Sequence, residues 1–169
     1  AQAIRHVGRD TPLYNLRTAL YALKLLIDLS YSHLYDIVIF DRCLFDAHAW
    51  MMYWQEKGKL TPEEMALYQK FFEFRLWIDK IDVAFFVTCD PEEAMRREMK
   101  IALTKEEGET TNPKTIATLV RRYKAAYKEL RDDYPRLHFV DSTKIDEQKM
   151  ANFILSKITS KHFFHYKTM

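Results

Sequence analysis

The sequence predicts an α/β fold, a three-layer sandwich with a parallel sheet, because short apolar runs alternate with long helical patterns. Three runs are continuously apolar rather than alternating, which is typical of parallel strands covered on both faces. These runs span residues 37–41, 83–89 and 137–141. Because parallel strands need long crossovers, the helical segments between the runs favour a parallel arrangement.

Four helix starts are marked by a capping residue directly before a proline. The pairs are Thr11-Pro12, Thr61-Pro62, Asp90-Pro91 and Asn112-Pro113. The capping oxygen accepts from free backbone N–H groups, and proline at the first helical position loses no hydrogen bond. Glu64 and Glu93 stand three residues after Thr61 and Asp90, which predicts two capping boxes. Helices are therefore expected at about 12–32, 44–57, 62–79, 91–105, 113–132 and 146–159.

Length and composition indicate one soluble domain that covers residues 1–169. The chain is 48% apolar and 30% charged, and its net charge of +2 does not favour nucleic acid as a partner. The two cysteines, Cys43 and Cys89, lack the spacing of a zinc site and fit a reducing cytoplasm. All apolar runs are shorter than the roughly 18 residues of a membrane span, so no membrane partner is expected.

Asp41 and Arg42 end the first predicted strand, and ligands of open α/β sheets lie beyond the carboxyl ends of strands. A carboxylate there can hold Mg²⁺, and a neighbouring guanidinium can bind phosphate through its fork of N–H groups. The alternative is that Asp41 caps the next helix and Arg42 lies in a surface ion pair. Asp46, one helical turn later, either pairs with Arg42 or faces a ligand hydroxyl.

Two further residues of the same helix have a structural and a functional interpretation. Trp50 can stack on a base or lie in the core, and the core position is favoured by its apolar neighbours. His48 can act as a catalytic base or be a hydrogen-bonded helix residue, and the second interpretation is favoured.

A basic cluster follows the second predicted strand. Arg96 and Arg97 lie in the second turn of the helix that starts at Pro91, and Lys100 follows one turn later, ahead of the polar segment 105–112. Such cations can close over a polyphosphate and neutralise its charge, which predicts a lid-like segment at about 96–112. The alternative is a solvated helix face whose arginines pair with neighbouring glutamates.

Near the first helix, Arg9 and Arg17 flank the Thr11-Pro12 pair. They can bind an anion at the helix N-terminus, where the helix dipole also favours negative charge. A solvated terminus explains them equally well.

Taken together, these motifs resemble the thymidylate kinase and deoxynucleoside kinase group of P-loop phosphotransferases, over about residues 15–142. The resemblance rests on the long apolar first helix, on the strand ending in Asp41-Arg42, on the sequence Val-Thr-Cys-Asp-Pro-Glu-Glu-Ala-Met-Arg-Arg at 87–97, and on the strand ending in Asp141-Ser142. It implies transfer of the γ-phosphoryl group of ATP to a nucleoside or nucleotide with the help of Mg²⁺. Catalysis of that kind is mostly positioning and charge neutralisation.

The resemblance also implies roles for individual residues. Asp41 would assist Mg²⁺ binding, and Arg42 would orient phosphate groups during catalysis. Arg96, Arg97 and Lys100 would be the cations that contact the donor phosphates. Arg97 would also be catalytic. Arg17 would lie near the acceptor, and Asp46 and Arg9 complete the predicted acceptor side.

The sequence departs from the family pattern in one respect. The phosphate-binding loop GxxxxGK[ST] and the first strand are missing, and the only glycines are Gly8, Gly58 and Gly108. We expect the carboxyl-terminal portion of a longer kinase, because a sheet without its central strand exposes apolar edges. The alternative is a catalytically inactive kinase-like subunit that acts as a protein-interaction module. Its interface would involve Trp50, Trp54, Phe71, Phe72, Phe74 and Trp77. We expect a homodimer, or a partner that supplies the missing N-terminal part.

Overall fold

A computed structural model describes residues 8, 10–101 and 112–159, with the side chains of Lys100 and Ile101 excepted. The elements are α1 (Pro12–Ser30), α2 (Leu44–Glu56), α3 (Pro62–Phe72), α4 (Arg75–Ile78), β1 (Ala84–Thr88), α5 (Pro91–Ile101), α6 (Pro113–Leu130), β2 (Leu137–Asp141) and α7 (Glu147–Ile158). Arg9 and residues 102–111, which include most of the predicted lid-like segment, lie outside the described residues, as does the side chain of Lys100.

The two described strands form a parallel pair. Their register runs from Ala84 opposite Leu137 to Thr88 opposite Asp141. The predictions of strands at 83–89 and 137–141, and of their parallel arrangement, are therefore confirmed. Parallel pairing places the carboxyl ends of β1 and β2 at the same edge of the sheet.

Aromatic residues attach helices to both faces of this pair. On one face Phe86 contacts Tyr123 of α6, with ring centroids 5.1 Å apart. On the other face Phe85 contacts Phe153 of α7 at 6.4 Å. Successive strand residues point to opposite faces, so the adjacent Phe85 and Phe86 serve different helices.

The core centres on α2, which packs against α1, α3 and α6. Trp50 and Trp54 are both buried, as the apolar pattern of this helix predicts. The indole Nε1 of Trp54 donates to Oδ1 of Asn15 at 2.8 Å, which joins the last turn of α2 to the start of α1. Deep burial of a large indole is favourable when its N–H is hydrogen-bonded in this way.

The cap before α3 has the predicted geometry. The Thr61 side chain accepts from the Glu64 N–H at 3.2 Å, and the Glu64 carboxylate accepts from the Thr61 N–H at 2.8 Å. The capping box is therefore confirmed. Thr11 and Asn112 likewise cap α1 and α6 through their side-chain oxygens.

The second predicted capping box, before α5, is wrong. Asp90 does cap the helix, since its Oδ1 accepts from the N–H groups of Glu92 and Glu93 at 3.0 and 3.3 Å. The backbone N–H of Asp90, however, donates to the Thr143 hydroxyl at 2.9 Å. The Glu93 carboxylate pairs with two arginines instead, because charge-assisted bonds are stronger than a bond to a backbone amide.

The prediction of a buried strand at 37–41 is also wrong. Residues 37–40 belong to no helix or strand, and Ile37, Val38 and Ile39 are 59%, 41% and 85% exposed. The described residues provide no neighbouring strand for their backbone groups, and a strand forms only when such a partner is present.

The predicted helix 62–79 divides into α3 and α4 at Glu73 and Phe74. The Phe72 carbonyl accepts from the Trp77 indole N–H at 3.2 Å, and the Glu73 carbonyl accepts from the Tyr134 hydroxyl at 3.2 Å. Both carbonyls therefore bond to side chains at the point where the helix breaks.

Among the helices of the described segments, none is long and apolar enough to cross a membrane.

Candidate functional site

Arg42 lies between residues 37–40, which belong to no helix or strand, and the start of α2. Its φ is +68°, and it is the only non-glycine residue of the described chain with a positive φ. This left-handed conformation costs an L-residue with a side chain about 1–2 kcal/mol. Such strain persists where the surrounding structure imposes it, often at functional sites.

The side chain of Arg42 is exposed and rests on an aromatic surface. Its guanidinium carbon lies 5.7 Å from the centroid of the Trp50 ring. No hydrogen bond or ion pair joins the guanidinium to another residue within 8, 10–101 or 112–159. The N–H fork is therefore free to bind an anion, which a guanidinium does best with two parallel hydrogen bonds.

Asp46 lies beside this cation and is held from α6. The Tyr123 hydroxyl donates to Oδ1 of Asp46. Burial raises the pKa of Asp46, while the positive charge of Arg42 and the hydrogen bond from Tyr123 act in the opposite direction. Burial and the neighbouring Asp46 charge raise the pKa of Tyr123 well above its usual value, so its hydroxyl remains protonated.

The indole N–H of Trp50 faces the same group. Trp50 is only 4% exposed, and its Nε1 makes no hydrogen bond within the described structure. It is near enough to act against the raised pKa of both Asp46 and Tyr123, although it makes no hydrogen bond to either.

Asp41 and Cys43 flank Arg42. The Asp41 residue is exposed, so its carboxylate is open to a solvated cation. Burial raises the pKa of the Cys43 thiol. Among the residues whose positions are described, no three His, Cys, Asp or Glu side chains form a group that could hold a metal ion.

The basic cluster of α5 converges on one carboxylate. Arg96 binds Glu93 through Nε and Nη2, both at 2.6 Å, and Arg97 binds it through Nε at 2.7 Å. The hydrogen bonds from Arg96 and Arg97 lower the pKa of Glu93 to about 2. This arrangement matches the alternative in which the arginines pair with a nearby glutamate.

Arg97 also reaches the loop after β2. Its Nη2 donates to the carbonyls of Ser142 and Thr143 at 2.9 and 3.3 Å. The Ser142 hydroxyl in turn donates to the Thr88 carbonyl at 2.9 Å. Arg97 therefore ties α5 to the carboxyl ends of both strands.

A cavity of about 420 Å³ opens beside these strand ends. The residues that line it include Asp141 at the end of β2, Lys124 from α6, and three residues of the loops after the strands, Asp90, Thr143 and Lys144. Hydrogen bonds from Thr143 lower the pKa of Asp141. Cavities at the carboxyl ends of parallel strands are the usual ligand sites of open α/β sheets.

With this geometry established, the chain was compared with known proteins. A family model described as "Deoxynucleoside kinase" matches residues 14–164. The chain belongs to the deoxynucleoside kinase family. Membership implies phosphoryl transfer to nucleosides, which makes the chain a kinase-family protein with nucleoside substrates. Comparisons with curated proteins and with solved structures gave no match.

Within this deoxynucleoside kinase family member, the predicted residues fall into separate groups. Arg42 and Asp46 lie together beside Trp50, whereas Arg96 and Arg97 lie at the strand ends. Arg17 is exposed on α1. It is two residues from Asn15, which contacts Trp54 in the last turn of α2, whereas Arg42 precedes the first turn of that helix. The Arg17 side chain makes no hydrogen bond or ion pair to another described residue.

His48 has the structural role that the sequence favours. Its side chain is 7% exposed, and its Nδ1 and Nε2 contact carboxylate oxygens of Glu73 and Glu129 at 2.5 and 3.1 Å. Both contacts are hydrogen bonds when both ring nitrogens carry hydrogen. The ring joins α2 to the end of α3 and to α6.

Several residues of these sites were missed in the sequence. Tyr123 follows the apolar pattern of α6 and gives no sign that its hydroxyl reaches Asp46 on another helix. Lys124, Lys144 and Thr143 join the cavity only because α6 and the loop after β2 converge.

Proposed function

We propose that this protein takes part in ATP-dependent phosphoryl transfer to a nucleoside or nucleotide, in the manner of thymidylate kinases, and that Arg42 binds and orients the phosphate groups. The observation that carries the proposal is the conformation of Arg42: a strained, exposed residue whose guanidinium rests on Trp50 and has no described partner. A fork held in this way matches the geometry of phosphate oxygens.

Mg²⁺ would be held by Asp41. Mg²⁺ usually keeps several waters and binds through one or two carboxylates together with substrate phosphates, so one exposed carboxylate beside Arg42 fits it. The ion would supply charge neutralisation of the phosphate oxygens. On the protein side, Arg42 orients the phosphates, and Asp46 and Arg17 are the proposed acceptor-side residues, with Arg9 outside the described chain.

The donor ATP would lie toward the cavity at the strand ends. There Lys124 and Lys144 provide positive charge, and Arg97 fixes the loop that forms one wall. Arg96 and Lys100 complete the proposed donor side.

The two free thiols support a reducing compartment, and we propose that the protein is located in the cytoplasm.

We further propose that the fold is a P-loop kinase sandwich in three layers, whose central strand and phosphate loop come from outside this sequence. The exposed apolar run of Ile37, Val38 and Ile39 supports this, because a parallel neighbour would pair its backbone and cover its side chains. Either a longer chain or a partner subunit would supply that strand.

The second candidate function is a catalytically inactive kinase-like subunit that binds another protein, including a second copy of itself. The surface of α3 and α4 favours it, because Leu67, Phe74 and Leu76 are 70%, 58% and 70% exposed. Trp50, Trp54 and Phe72, which are buried, are not available to this interface.

The test is steady-state kinetics of the full-length protein with ATP, Mg²⁺ and a panel of nucleosides and nucleoside monophosphates. Arg42→Ala should lower kcat/KM about a hundredfold or more, as removal of one charge-stabilising group does in other enzymes. The matched control is Arg75→Ala, since Arg75 is an exposed arginine 5.8 Å from the Tyr134 ring centroid. Equal activity of the two variants would refute the role of Arg42. No turnover with any acceptor would favour the inactive subunit.

A further inference from the structure

The conformation of Arg42 needs a cause outside its own segment. Residues 37–40 before it belong to no helix or strand and have no described strand partner, so they impose little on its backbone. On its other side, α2 places the Trp50 ring beneath the guanidinium, and the charge of Asp46 acts on Arg42 without forming an ion pair. The orientation of the guanidinium therefore depends on how these two side chains are fixed.

Asp46 is fixed from a different helix. The Tyr123 hydroxyl donates to its Oδ1 from α6, and the Tyr123 ring is itself held edge-on against Phe86 of β1, at 5.1 Å and 76°. The carboxylate is thus attached to the sheet through one aromatic ring. Without the hydroxyl, Asp46 would lose this attachment.

Trp50 completes the arrangement. Its ring supports the guanidinium, while its buried N–H faces the same carboxylate without a hydrogen bond. A donor left unpaired in this way is sensitive to the position of its neighbour. Movement of Asp46 would therefore affect Arg42 directly, through charge, and also through the ring beneath it.

We propose that Tyr123 is a positioning residue for phosphoryl transfer: its hydroxyl holds Asp46, and Asp46 and Trp50 together hold the guanidinium of Arg42 toward the phosphate. The inference rests on the proposed function of Arg42. It assigns to α6 a role in the phosphate site that is distinct from its packing against the sheet.

The first experiment reads the position of Arg42 without requiring turnover. In ¹⁵N-labelled full-length protein, the Nε–H resonance of Arg42, assigned with Arg42→Lys, should be shifted by the Trp50 ring current. Tyr123→Phe keeps the ring against Phe86 and removes only the hydroxyl, and it should move this resonance toward the position of a free arginine. The control is Tyr127→Phe on the same helix, whose ring packs on Phe139 and which should leave the resonance in place.

The second experiment measures kcat and KM. Tyr123→Phe should lower kcat about tenfold, a loss of the order that misplacing a charge-stabilising group produces, while Tyr127→Phe should leave kcat unchanged. In an Arg42→Lys background the same substitution should have a smaller effect, because residues that act as one unit are not additive. An equal fold-change in both backgrounds would show that Tyr123 acts independently of Arg42 and would overturn the inference.

The outcomes separate the inference from the proposed function. An unmoved Arg42 resonance in Tyr123→Phe overturns the inference and leaves the role of Arg42 intact. If the Arg42 resonance moves in Tyr123→Phe but Arg42→Ala keeps full activity, the proposed role of Arg42 is overturned. The proposed role of Tyr123 in catalysis is then overturned as well. If Tyr123→Phe is unfolded by circular dichroism, Asp46→Asn replaces it, since the amide oxygen still accepts from Tyr123 but carries no charge. The Arg42 resonance should then move as well, and an unmoved one counts against the inference.

Discussion

The left-handed backbone of Arg42 can be tested separately from its charge, by comparing glycine and alanine at this position. Both substitutions remove the guanidinium, so both should lose phosphate binding to the same extent. They differ in the strain that remains, because glycine adopts a φ of +68° without steric cost and alanine does not. The comparison therefore isolates the conformational energy.

The magnitude follows from two opposing terms. The left-handed region costs alanine about 1–2 kcal/mol, and glycine loses about 0.5–1 kcal/mol more conformational entropy on folding. Arg42→Gly should therefore be more stable than Arg42→Ala by about 0.5–1 kcal/mol. For a chain of this size that corresponds to a difference in Tm of roughly 1–4 °C.

The assay is urea and thermal unfolding of both variants beside a reference substitution. Gly58 also has a φ of +68°, and a Cβ there would meet nothing within 4 Å, so Gly58→Ala measures the same strain in open space. If Gly58→Ala loses stability while Arg42→Ala is as stable as Arg42→Gly, then Arg42 does not hold a left-handed backbone in solution. The fold would then not impose a left-handed conformation on residue 42.

Two other side chains give further predictions. His48→Leu should lower the free energy of unfolding by about 2–3 kcal/mol in urea titrations, mostly through the lost bond to the partly buried Glu73, since a charged hydrogen bond contributes about 1.5–3 kcal/mol. The bond to the half-exposed Glu129 adds little, and a loss below about 0.5 kcal/mol would contradict this account. Because the pKa of Glu93 is lowered from 4.5 to about 2, its pairing with Arg96 and Arg97 stabilises the fold above pH 4.5 and is lost as the pH falls toward 2. Glu93→Gln should therefore flatten the fall of Tm over that pH range, and an unchanged slope would rule the pairing out as a contributor.

The elements that the sequence predicted correctly are those whose signals are local. The cap of α3 depends on Thr61 and Glu64, three residues apart, and β1 and β2 are short apolar runs whose parallel pair is covered by helices on both faces. The run at 37–41 is apolar as β1 is, but a strand also requires a neighbour, and composition carries no information on that. The break between α3 and α4 likewise depends on Tyr134, which lies 61 residues away from Glu73.

The candidate site was predictable only in part, for a related reason. Arg42 and Asp46 are four residues apart, so their spacing already suggested that the charge of one acts on the other. The hydroxyl of Tyr123 reaches Asp46 across 77 residues, and no spacing rule connects the two. The arginines of α5 had two interpretations in the sequence, and the choice of Glu93 as their common partner became evident only with the distances.

Cys43 affects the charge of the proposed phosphate site because its thiol is not ionised. Its thiol follows Arg42 directly, and burial raises its pKa, so near neutral pH it remains the protonated form. A thiolate at this place would partly cancel the guanidinium charge and would compete with phosphate for it. A protonated thiol is also a poor nucleophile and is oxidised slowly. No thiolate therefore opposes the guanidinium charge of Arg42 at the start of α2, and the thiol resists oxidants that would modify an ionised cysteine.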